Sequence, residues 1–306
     1  MELKQVLGEH TDDIRFTGVF VYDRNLAFIR AQLNSLNSKG IDHTVMIRYK
    51  DGDWGQYIVE APSTSHCLMK DPDLKVFLLV PDGNIHVASK QGFSWEKIDT
   101  KSGGANSLKA LTEIRIISGK LYTVGMGRMI YRRDSIDNWS RFDKGINETP
   151  NLDPISGFKS INGFDATEMY AVGFKGEIWF FEENQWKPAS SPTNLKLESI
   201  ICTTGGQVFS CGASGLLLQG RRDVWNVIDH GLTTNTLWSI EEFDGSVFFA
   251  DSIALYRYDK HTSEKVNIVV GKSISCSYLH ANDGVLWSVG ENNIARYDGQ
   301  NWEVLF

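Results

Sequence analysis

The sequence predicts an all-β fold: a seven-bladed β-propeller made of four-stranded antiparallel blades. Three observations support this prediction. A five-residue pattern recurs along the chain, a tryptophan follows most of its copies, and the apolar runs between them are separated by turns rich in Gly, Asp and Asn. Repeats of about forty residues with four short strands each are typical of propellers, because a single blade cannot bury both of its faces.

The five-residue pattern reads apolar, aromatic, small, apolar, glycine. Its copies are Leu121–Gly125, Met169–Gly173, Val208–Gly212 and Leu286–Gly290, and Val247–Asp251 fits with Asp in place of Gly. We expect the aromatic members to pack between adjacent blades. The glycines are expected to let the backbone turn or approach a neighbouring segment closely.

A second series consists of tryptophans that follow a polar turn, which are Trp54, Trp95, Trp139, Trp186, Trp225 and Trp302. One member is missing near Val266, and filling that place gives seven units. We expect these tryptophans to hold the outermost strand over its blade. Trp179 and Trp238 lie outside the series, and packing inside the fold is the favoured interpretation of both.

The predicted domain is a single propeller over residues 1–306, with blade 1 at about 1–60 and blades 2–7 at about 61–306. Blade 1 is the least regular, and its strands are predicted at Ile14–Val21, Ala27–Ala31, His43–Lys50 and Trp54–Glu60. The segment Gln32–Asp42 is then an insertion. Blade 5 is clearer, with strands at Leu197–Cys202, Gln207–Cys211, Leu216–Gln219 and Val224–Ile228.

The two chain ends bear on how the propeller closes. The segment Trp302–Phe306 is predicted to be the outer strand of blade 7. The Leu3–Leu7 run either pairs beside that strand or caps blade 1.

Composition excludes several classes of protein. The formal net charge is −7, whereas nucleic-acid binding requires a basic surface. The N-terminus lacks the basic start and apolar stretch of a signal peptide, and no apolar run is long enough to span a membrane, so we expect a cytoplasmic protein, monomeric by itself. The four cysteines are expected to be buried thiols, although Cys202 and Cys211 would form a disulfide if they faced each other.

Catalytic motifs are absent from the sequence. The seven histidines lack the short spacings of metal sites and are expected in loops or at the surface. The acidic pairs Asp12-Asp13, Glu182-Glu183 and Glu241-Glu242 are poor candidates for glycoside hydrolysis, because neighbours on a strand point to opposite faces. We therefore predict no enzyme activity, no metal and no cofactor.

Four long loops are the predicted partner-binding site. They are Gln32–Asp42, Thr100–Leu108, Lys144–Ser156 and Lys187–Lys196, and blade topology places each at the blade end where strand two ends and the chain crosses over. The candidate residues are Asn34, Asn37, Lys39, Asp42, Lys101, Asn106, Asn147, Glu148, Asn151 and Asp153. Their mixed charge suits a protein partner with a basic or mixed surface.

The segment Leu286–Trp302 combines the aromatic-small-Val-Gly pattern with Tyr-Asp-Gly-x-x-Trp, and it resembles the repeats of bacterial WD40/YVTN/BNR-like propellers. The resemblance extends from about Asp73 to Phe306 and implies the fold rather than a function. The Trp-Asp dipeptide of WD40 blades is missing. Asp boxes are only approximated at Ser89–Trp95 and before Trp139, so sialidase catalytic residues are not transferred.

The favoured function is a non-enzymatic protein-binding scaffold, specifically an inhibitor or immunity-type protein that neutralises a bacterial toxin or enzyme through its loop-rich face. One alternative is a carbohydrate-binding or glycoside-cleaving propeller. A further alternative, implied by the resemblance because the group includes photosystem-assembly factors, is an assembly chaperone.

Overall fold

The computed structural model describes residues 1–99, 110–146, 156–269 and 274–306. Within these residues the chain forms seven four-stranded antiparallel sheets, and each sheet takes four consecutive strands in sequence order. This arrangement confirms the predicted seven-bladed β-propeller.

The strands of blades 1–4 are β1 (Ile14–Asp23), β2 (Leu26–Leu33), β3 (Thr44–Lys50), β4 (Asp53–Val59), β5 (Ser65–Lys70), β6 (Leu74–Leu79), β7 (Asn84–Ser89), β8 (Gly92–Lys97), β9 (Leu111–Ile117), β10 (Lys120–Gly125), β11 (Met129–Ser135), β12 (Asn138–Arg141), β13 (Phe158–Gly163), β14 (Met169–Gly173), β15 (Ile178–Glu182) and β16 (Gln185–Pro188). The strands of blades 5–7 are β17 (Leu197–Cys202), β18 (Val208–Gly212), β19 (Leu217–Arg221), β20 (Val224–Val227), β21 (Ser239–Phe243), β22 (Ser246–Ala250), β23 (Leu255–Asp259), β24 (Thr262–Val266), β25 (Tyr278–Asn282), β26 (Val285–Val289), β27 (Ile294–Tyr297) and β28 (Trp302–Val304). The helical segments are α1 (Leu3–Leu7), α2 (Asn34–Asn37) and the 3₁₀ turns Gly8–His10, Phe174–Gly176 and Ala213–Gly215.

The chain divides into two compact units. Unit 1 comprises residues 1–62 and 230–306 and holds blades 1, 6 and 7, whereas unit 2 comprises residues 63–229 and holds blades 2–5. Among the described residues, no helix has the length and apolar character needed to cross a membrane.

Blade 1 is more regular than its sequence suggests. Its first two strands have 10 and 8 residues, and all four strands pair in continuous register apart from bulges in β1. The four strands lie within two residues of their predicted positions, and β1 carries two bulges, between Phe16 and Gly18 and between Val21 and Asp23. The segment before it forms α1, which caps the blade, because Leu3 and Leu7 are buried in one core with Trp54.

Four of the five aromatics of the five-residue pattern fill spaces between blades of one unit, as predicted. The side chains of Tyr122, Tyr170, Phe209, Phe248 and Trp287 are at most 5% exposed. Each of the four that belong to the core clusters packs against the next blade within its unit. Tyr122 lies with the blade 4 core, for example, and Trp287 lies with the blade 1 core. Burial of such rings contributes much of the hydrophobic stabilisation of a blade pair.

The pattern glycines are required by a close approach of the chain. In blades 3, 4, 5 and 7 the segment that leads into strand one passes the end of strand two. A Cβ on Gly173 would lie 2.0 Å from the carbonyl oxygen of Gly157, and one on Gly212 would lie 2.2 Å from that of Lys196. Both glycines have extended backbone, so the lack of a side chain rather than an unusual φ explains them.

The tryptophan series is only partly explained by packing. Trp54, Trp186 and Trp225 are buried as predicted, but the exposed fraction of Trp95 is 52%, so that prediction is wrong for blade 2. In blade 6, Ser263 on the outer strand pairs with Tyr258 on strand three. Trp186 occupies the equivalent position in blade 4, where it pairs with Phe181. The missing tryptophan therefore corresponds to Ser263, three residues before the predicted place near Val266.

The cysteines and several histidines lie inside the fold. All four cysteines are free, and Cys211 pairs with Ser199 rather than with Cys202. Burial raises the pKa of Cys202 to about 12 and that of Cys276 to about 11, so these thiols remain protonated. His66 and His86 lie on strands β5 and β7 and are 6% exposed, which corrects for these two the expectation that the histidines lie in loops or at the surface. His43 lies in a loop, as expected, but is buried.

Blades 7 and 1 contact each other directly in unit 1. The amide N–H of Phe16 donates to the carbonyl of Glu291 at 2.9 Å, and that of Val21 donates to Nδ1 of His280 at 3.2 Å. The ring of Phe306 packs edge-on against Phe16, with centroids 5.4 Å apart. The C-terminal segment thus belongs to blade 7, as predicted, and helps to join it to blade 1.

Candidate partner-binding site

The two ends of each blade differ in their connections. At one end strand one begins, strand two ends and the chain crosses between blades, and we call this the crossing end. The opposite end, with the turns between strands one and two and between strands three and four, is the hairpin end. In unit 1 the hairpin end consists of short polar turns, which are Arg24-Asn25, Asp51-Gly52, Asp244-Gly245, Lys260-His261, Asp283-Gly284 and Asp298-Gly299.

The longest connection between two strands of one blade in unit 1 is the α2 loop, residues 34–43, between strands β2 and β3 at the crossing end of blade 1. Asp13 fixes its start, because the Ser35 amide donates to one carboxylate oxygen at 2.9 Å and the Ser35 hydroxyl to the other at 2.5 Å. These hydrogen bonds, the hydroxyl first, lower the pKa of Asp13. The carboxylate therefore stays ionised and keeps the loop in place.

His43 fixes the other end of the α2 loop. Its Nε2 accepts the Leu33 amide N–H at 2.7 Å, and its Nδ1 donates to the Ile41 carbonyl at 2.8 Å. The imidazole is buried and uses both nitrogens, which requires the neutral tautomer with the proton on Nδ1. A buried histidine therefore shapes an exposed loop.

The structure places four of the predicted site residues on this loop. Asn34, Asn37, Lys39 and Asp42 are all exposed, and Asn37 donates to Gln32 at 3.3 Å. The other six predicted residues, Lys101, Asn106, Asn147, Glu148, Asn151 and Asp153, lie outside the described residues. The crossing segment between β16 and β17 is described, and it lies at the crossing end of its blades, as predicted from topology.

A cleft lies beside the α2 loop at the crossing end of unit 1. It has a volume of about 330 Å³ and is lined by Arg15, Phe16, Trp238, Ser277, Tyr278 and Glu291. These residues stand at the starts of the first strands of blades 6, 7 and 1, or at the turn after β26. The Arg15 guanidinium lies 3.8 Å from the Glu291 carboxylate, and both side chains are exposed, so this ion pair is loose.

Trp238 departs from its predicted role. Trp179 is buried, but Trp238 is 44% exposed, which corrects the expectation that it packs inside the fold. Its amide donates to the Ala250 carbonyl at 2.8 Å. The preceding segment is held by Asp251, whose carboxylate accepts from Thr233 and Asn235, each at 3.0 Å. The exposed indole therefore stands on a fixed backbone.

Exposed apolar side chains mark the same end of unit 1. Within its described loops, three large apolar residues are exposed between strands: Ile41 at 48%, Trp238 at 44% and Ile253 at 57%. All three lie at the crossing end. The other exposed large apolar residues described in this unit are Met1 at the terminus and Ile58 and Val304 on outer strands. Apolar side chains grouped at one end of a blade set and surrounded by polar residues are typical of a protein-binding surface.

A comparison of sequences identifies the family. The immune protein Tsi7 of Pseudomonas aeruginosa is 31% identical to this chain over 294 residues, which cover 94% of this chain and 95% of Tsi7. The chain belongs to the family of the immune protein Tsi7. This membership, together with the propeller, confirms the prediction of an immunity-type, protein-binding scaffold.

Solved structures share only the fold with this member of the Tsi7 family. YCF48 bound to D1 peptide is 14% identical with a TM-score of 0.69, covering 94% of this chain and 93% of that one. The WD40 propeller domain of Doa1 is 10% identical with a TM-score of 0.68, covering 93% and 92%. BamB from Moraxella catarrhalis is 12% identical with a TM-score of 0.58, covering 94% and 85%. No protein-family model matches the chain.

The side chains that could bind a metal ion are dispersed in the described part of this Tsi7-family chain. No set of three or more His, Cys, Asp or Glu side chains described there is placed to hold a metal ion. In the acidic pair Glu182-Glu183, both carboxylates contact the Lys187 ammonium, at 3.5 and 2.7 Å. These charges are used in surface ion pairs.

Proposed function

We propose that this immunity protein neutralises a bacterial toxin by binding it directly through the crossing end of unit 1. The contact surface is formed by the α2 loop, the cleft and the turn that carries Ile253. The observation that supports this assignment is that, within the described loops of unit 1, the exposed large apolar residues all lie at that end, while the hairpin end of this unit carries polar turns.

The composition of this surface suits a specific protein interface. Interfaces combine a few apolar or aromatic anchors with a polar rim, and tryptophan and arginine are enriched among the residues that contribute most to affinity. Ile41, Trp238 and Ile253 are the exposed apolar residues, and the polar rim includes Asn34 and Lys39. These residues support our proposal that the protein partner binds at this surface.

The backbone beneath these residues is rigid, which favours affinity. The loop that bears Ile41 is fixed by Asp13 and His43, and the segment that bears Trp238 is fixed by Asp251. A surface that is ordered before binding loses little conformational entropy when the partner arrives.

Neutralisation by this route needs no catalysis. A bound propeller covers the toxin surface over the area of a protein–protein interface, and coverage alone prevents a substrate from entering. We propose that the chain is not an enzyme and that it acts in a stoichiometric complex with a partner of basic or mixed surface charge, in keeping with its own net charge of −7.

Calorimetric titration tests the proposal, with a purified bacterial toxin against which the chain protects cells as the partner. Ile41→Glu and Ile253→Glu each place a charge in the proposed interface, and we expect each to weaken binding by tenfold or more, or about 1.4 kcal/mol. Ile58→Glu and Val304→Glu are matched controls, because those residues are 51% and 48% exposed on outer strands.

The controls decide the outcome. Unchanged affinity in the control variants with weakened affinity in the Ile41 and Ile253 variants supports the assignment. If the toxin binds equally well to all four variants, or if only the outer-strand variants fail, the crossing end of unit 1 is not the interface. Absence of any binding by the unsubstituted chain would refute direct neutralisation.

A further inference from the structure

The cleft at the crossing end of unit 1 combines aromatic walls with an exposed carboxylate. Trp238 and Tyr278 line it, and the side chain of Glu291 is 66% exposed at its rim. The faces of aromatic rings attract cations and repel anions, and a carboxylate adds a charge-assisted hydrogen bond to a cation that reaches it. These groups therefore share a preference for a positively charged guest.

We infer that this cleft binds one arginine side chain of the toxin, with the guanidinium over the aromatic walls and paired with Glu291. The inference rests on the proposed function, since it names the chemistry of the partner at the same surface. A cleft of about 330 Å³ has room for a single long side chain. The planar guanidinium suits stacking and carboxylate pairing better than an ammonium does.

The groups that form the cleft are held in position before binding. The backbone carbonyl of Glu291 accepts a hydrogen bond from the Phe16 amide at 2.9 Å. The backbone amide of Glu291 donates to the Ser275 hydroxyl, also at 2.9 Å. The amide of Trp238 is bonded to strand β22 at 2.8 Å. An arginine that enters the cleft meets a carboxylate and an indole whose backbones do not have to rearrange.

Arg15 is the group that now lies near Glu291. Its guanidinium is 3.8 Å from the carboxylate, a distance longer than a charge-assisted hydrogen bond, and its side chain is 46% exposed. A guanidinium from the toxin can displace this loose contact. Arg15 thus competes with the incoming arginine, and its removal is expected to strengthen binding.

The opposite assignment, in which Arg15 captures a carboxylate from the toxin, makes reversed predictions. In that case Arg15→Gln weakens binding and Glu291→Gln strengthens it. The net charge of −7 favours the arginine over a carboxylate as the guest, because the field of the whole protein attracts cations.

The test uses short blocked peptides and no toxin, so that it is independent of the proposed function. Gly-Arg-Gly is compared with its citrulline and glutamate counterparts by following the indole N–H signal of Trp238, assigned from a Trp238→Phe variant. We expect saturable shifts at millimolar concentration with the arginine peptide, and at least fivefold weaker binding of the citrulline peptide, which has the same shape without the charge.

Three variants complete the test. Glu291→Gln is expected to weaken binding of the arginine peptide about fivefold, Arg15→Gln to strengthen it about twofold, and Glu303→Gln to leave it unchanged. Glu303 is a matched control, because it is 55% exposed and pairs with Arg296 away from the cleft.

Several results would overturn the inference. They are equal binding of the citrulline and arginine peptides, tighter binding of the glutamate peptide, or no shift of the Trp238 signal with any peptide. If these occur while the toxin still binds and the Ile41 and Ile253 variants still weaken it, only the arginine assignment fails. If the toxin itself does not bind, the proposed function fails.

Discussion

Asp251 stands where four other blades have the pattern glycine, so Asp251→Gly restores the repeat. We nevertheless expect this substitution to destabilise the protein. The carboxylate is fully buried. Five groups donate hydrogen bonds to it. Three are side chains, each at 3.0 Å: the hydroxyls of Thr233 and Tyr256 and the side-chain amide of Asn235. The other two are the backbone N–H groups of Ile253 at 2.8 Å and Ala254 at 2.7 Å.

The size of the effect follows from these contacts. A hydrogen bond to a charged group contributes about 1.5–3 kcal/mol, and part of the loss is recovered when water reaches the abandoned donors. Glycine also costs about 0.5–1 kcal/mol through the entropy of the unfolded chain. We therefore expect the free energy of unfolding to fall by about 4 kcal/mol, which is large for a single substitution.

Urea denaturation followed by tryptophan fluorescence measures this change. Asp244→Gly is the matched control, because Asp244 is in the same blade, exposed, and has a positive φ of 49° that glycine adopts easily. We expect the control to change the free energy of unfolding by less than about 0.5 kcal/mol. The control carries the same substitution at a carboxylate that is exposed rather than buried.

The reasoning is refuted if Asp251→Gly unfolds at the same urea concentration as the unsubstituted protein, or at a higher one. Such a result would mean that the repeat consensus, rather than the hydrogen bonds of the carboxylate, determines stability at this position.

Three further predictions concern stability. Gly212→Ala is expected to lower the free energy of unfolding by about 2–3 kcal/mol because its Cβ would lie 2.2 Å from a backbone oxygen, and an unchanged urea midpoint would contradict this. Arg133→Met removes the guanidinium that lies 2.7 Å from the Glu96 carboxylate, whose side chain is 4% exposed. We expect the free energy of unfolding, measured by urea denaturation, to fall by about 3–5 kcal/mol. Most of this loss should be recovered in the double variant with Glu96→Leu. The Arg221 guanidinium lowers the pKa of Glu168, so the stability from this pair is present above the pKa of Glu168 in the unfolded chain and is lost as the pH falls through the lowered pKa of the folded state. Glu168→Gln should reduce that acid-dependent loss in thermal melts, and an unchanged pH profile would argue against it.

A blade is easy to recognise from the sequence where the crossing of the chain between blades requires the pattern glycine. In blades 3, 4, 5 and 7 a backbone segment passes the end of strand two, and only glycine leaves room for it, so the pattern is visible. In blade 1 the chain enters from α1 and contacts the start of the α2 loop, where the Asn34 amide donates to the Asp13 carbonyl at 2.9 Å. The same hydrogen bond runs from the Ala213 amide to the Lys196 carbonyl at 2.9 Å in blade 5, beside the pattern glycine Gly212. Blade 1 makes this contact with Leu33 at the glycine position, so its strands are complete although the pattern is absent.

Sequence reasoning located one part of the candidate site, the α2 loop, and missed the other part, the cleft. Loop length led to the α2 loop with Asn34 and Lys39, because insertions are visible as gaps between strands. The cleft was missed, since its residues are brought together from three blades by strand starts and not by proximity in the chain. The burial of His43 was also missed, because a histidine that bonds the backbone through both nitrogens looks in sequence like any loop histidine.

One sequence signal did point to the exposed tryptophan. The blade whose pattern glycine is replaced by Asp251 is also the blade whose crossing segment carries Trp238. The side chain at 251 leaves no room for a backbone segment pressed against strand two, so its carboxylate holds the crossing segment through Thr233 and Asn235 instead. That segment ends at Trp238, whose indole is left exposed. The replacement of the pattern glycine by Asp251 is therefore linked to the exposure of Trp238. Asp251→Asn, which keeps the shape and removes the charge, should weaken toxin binding less than Asp251→Gly does if Asp251 acts by positioning Trp238.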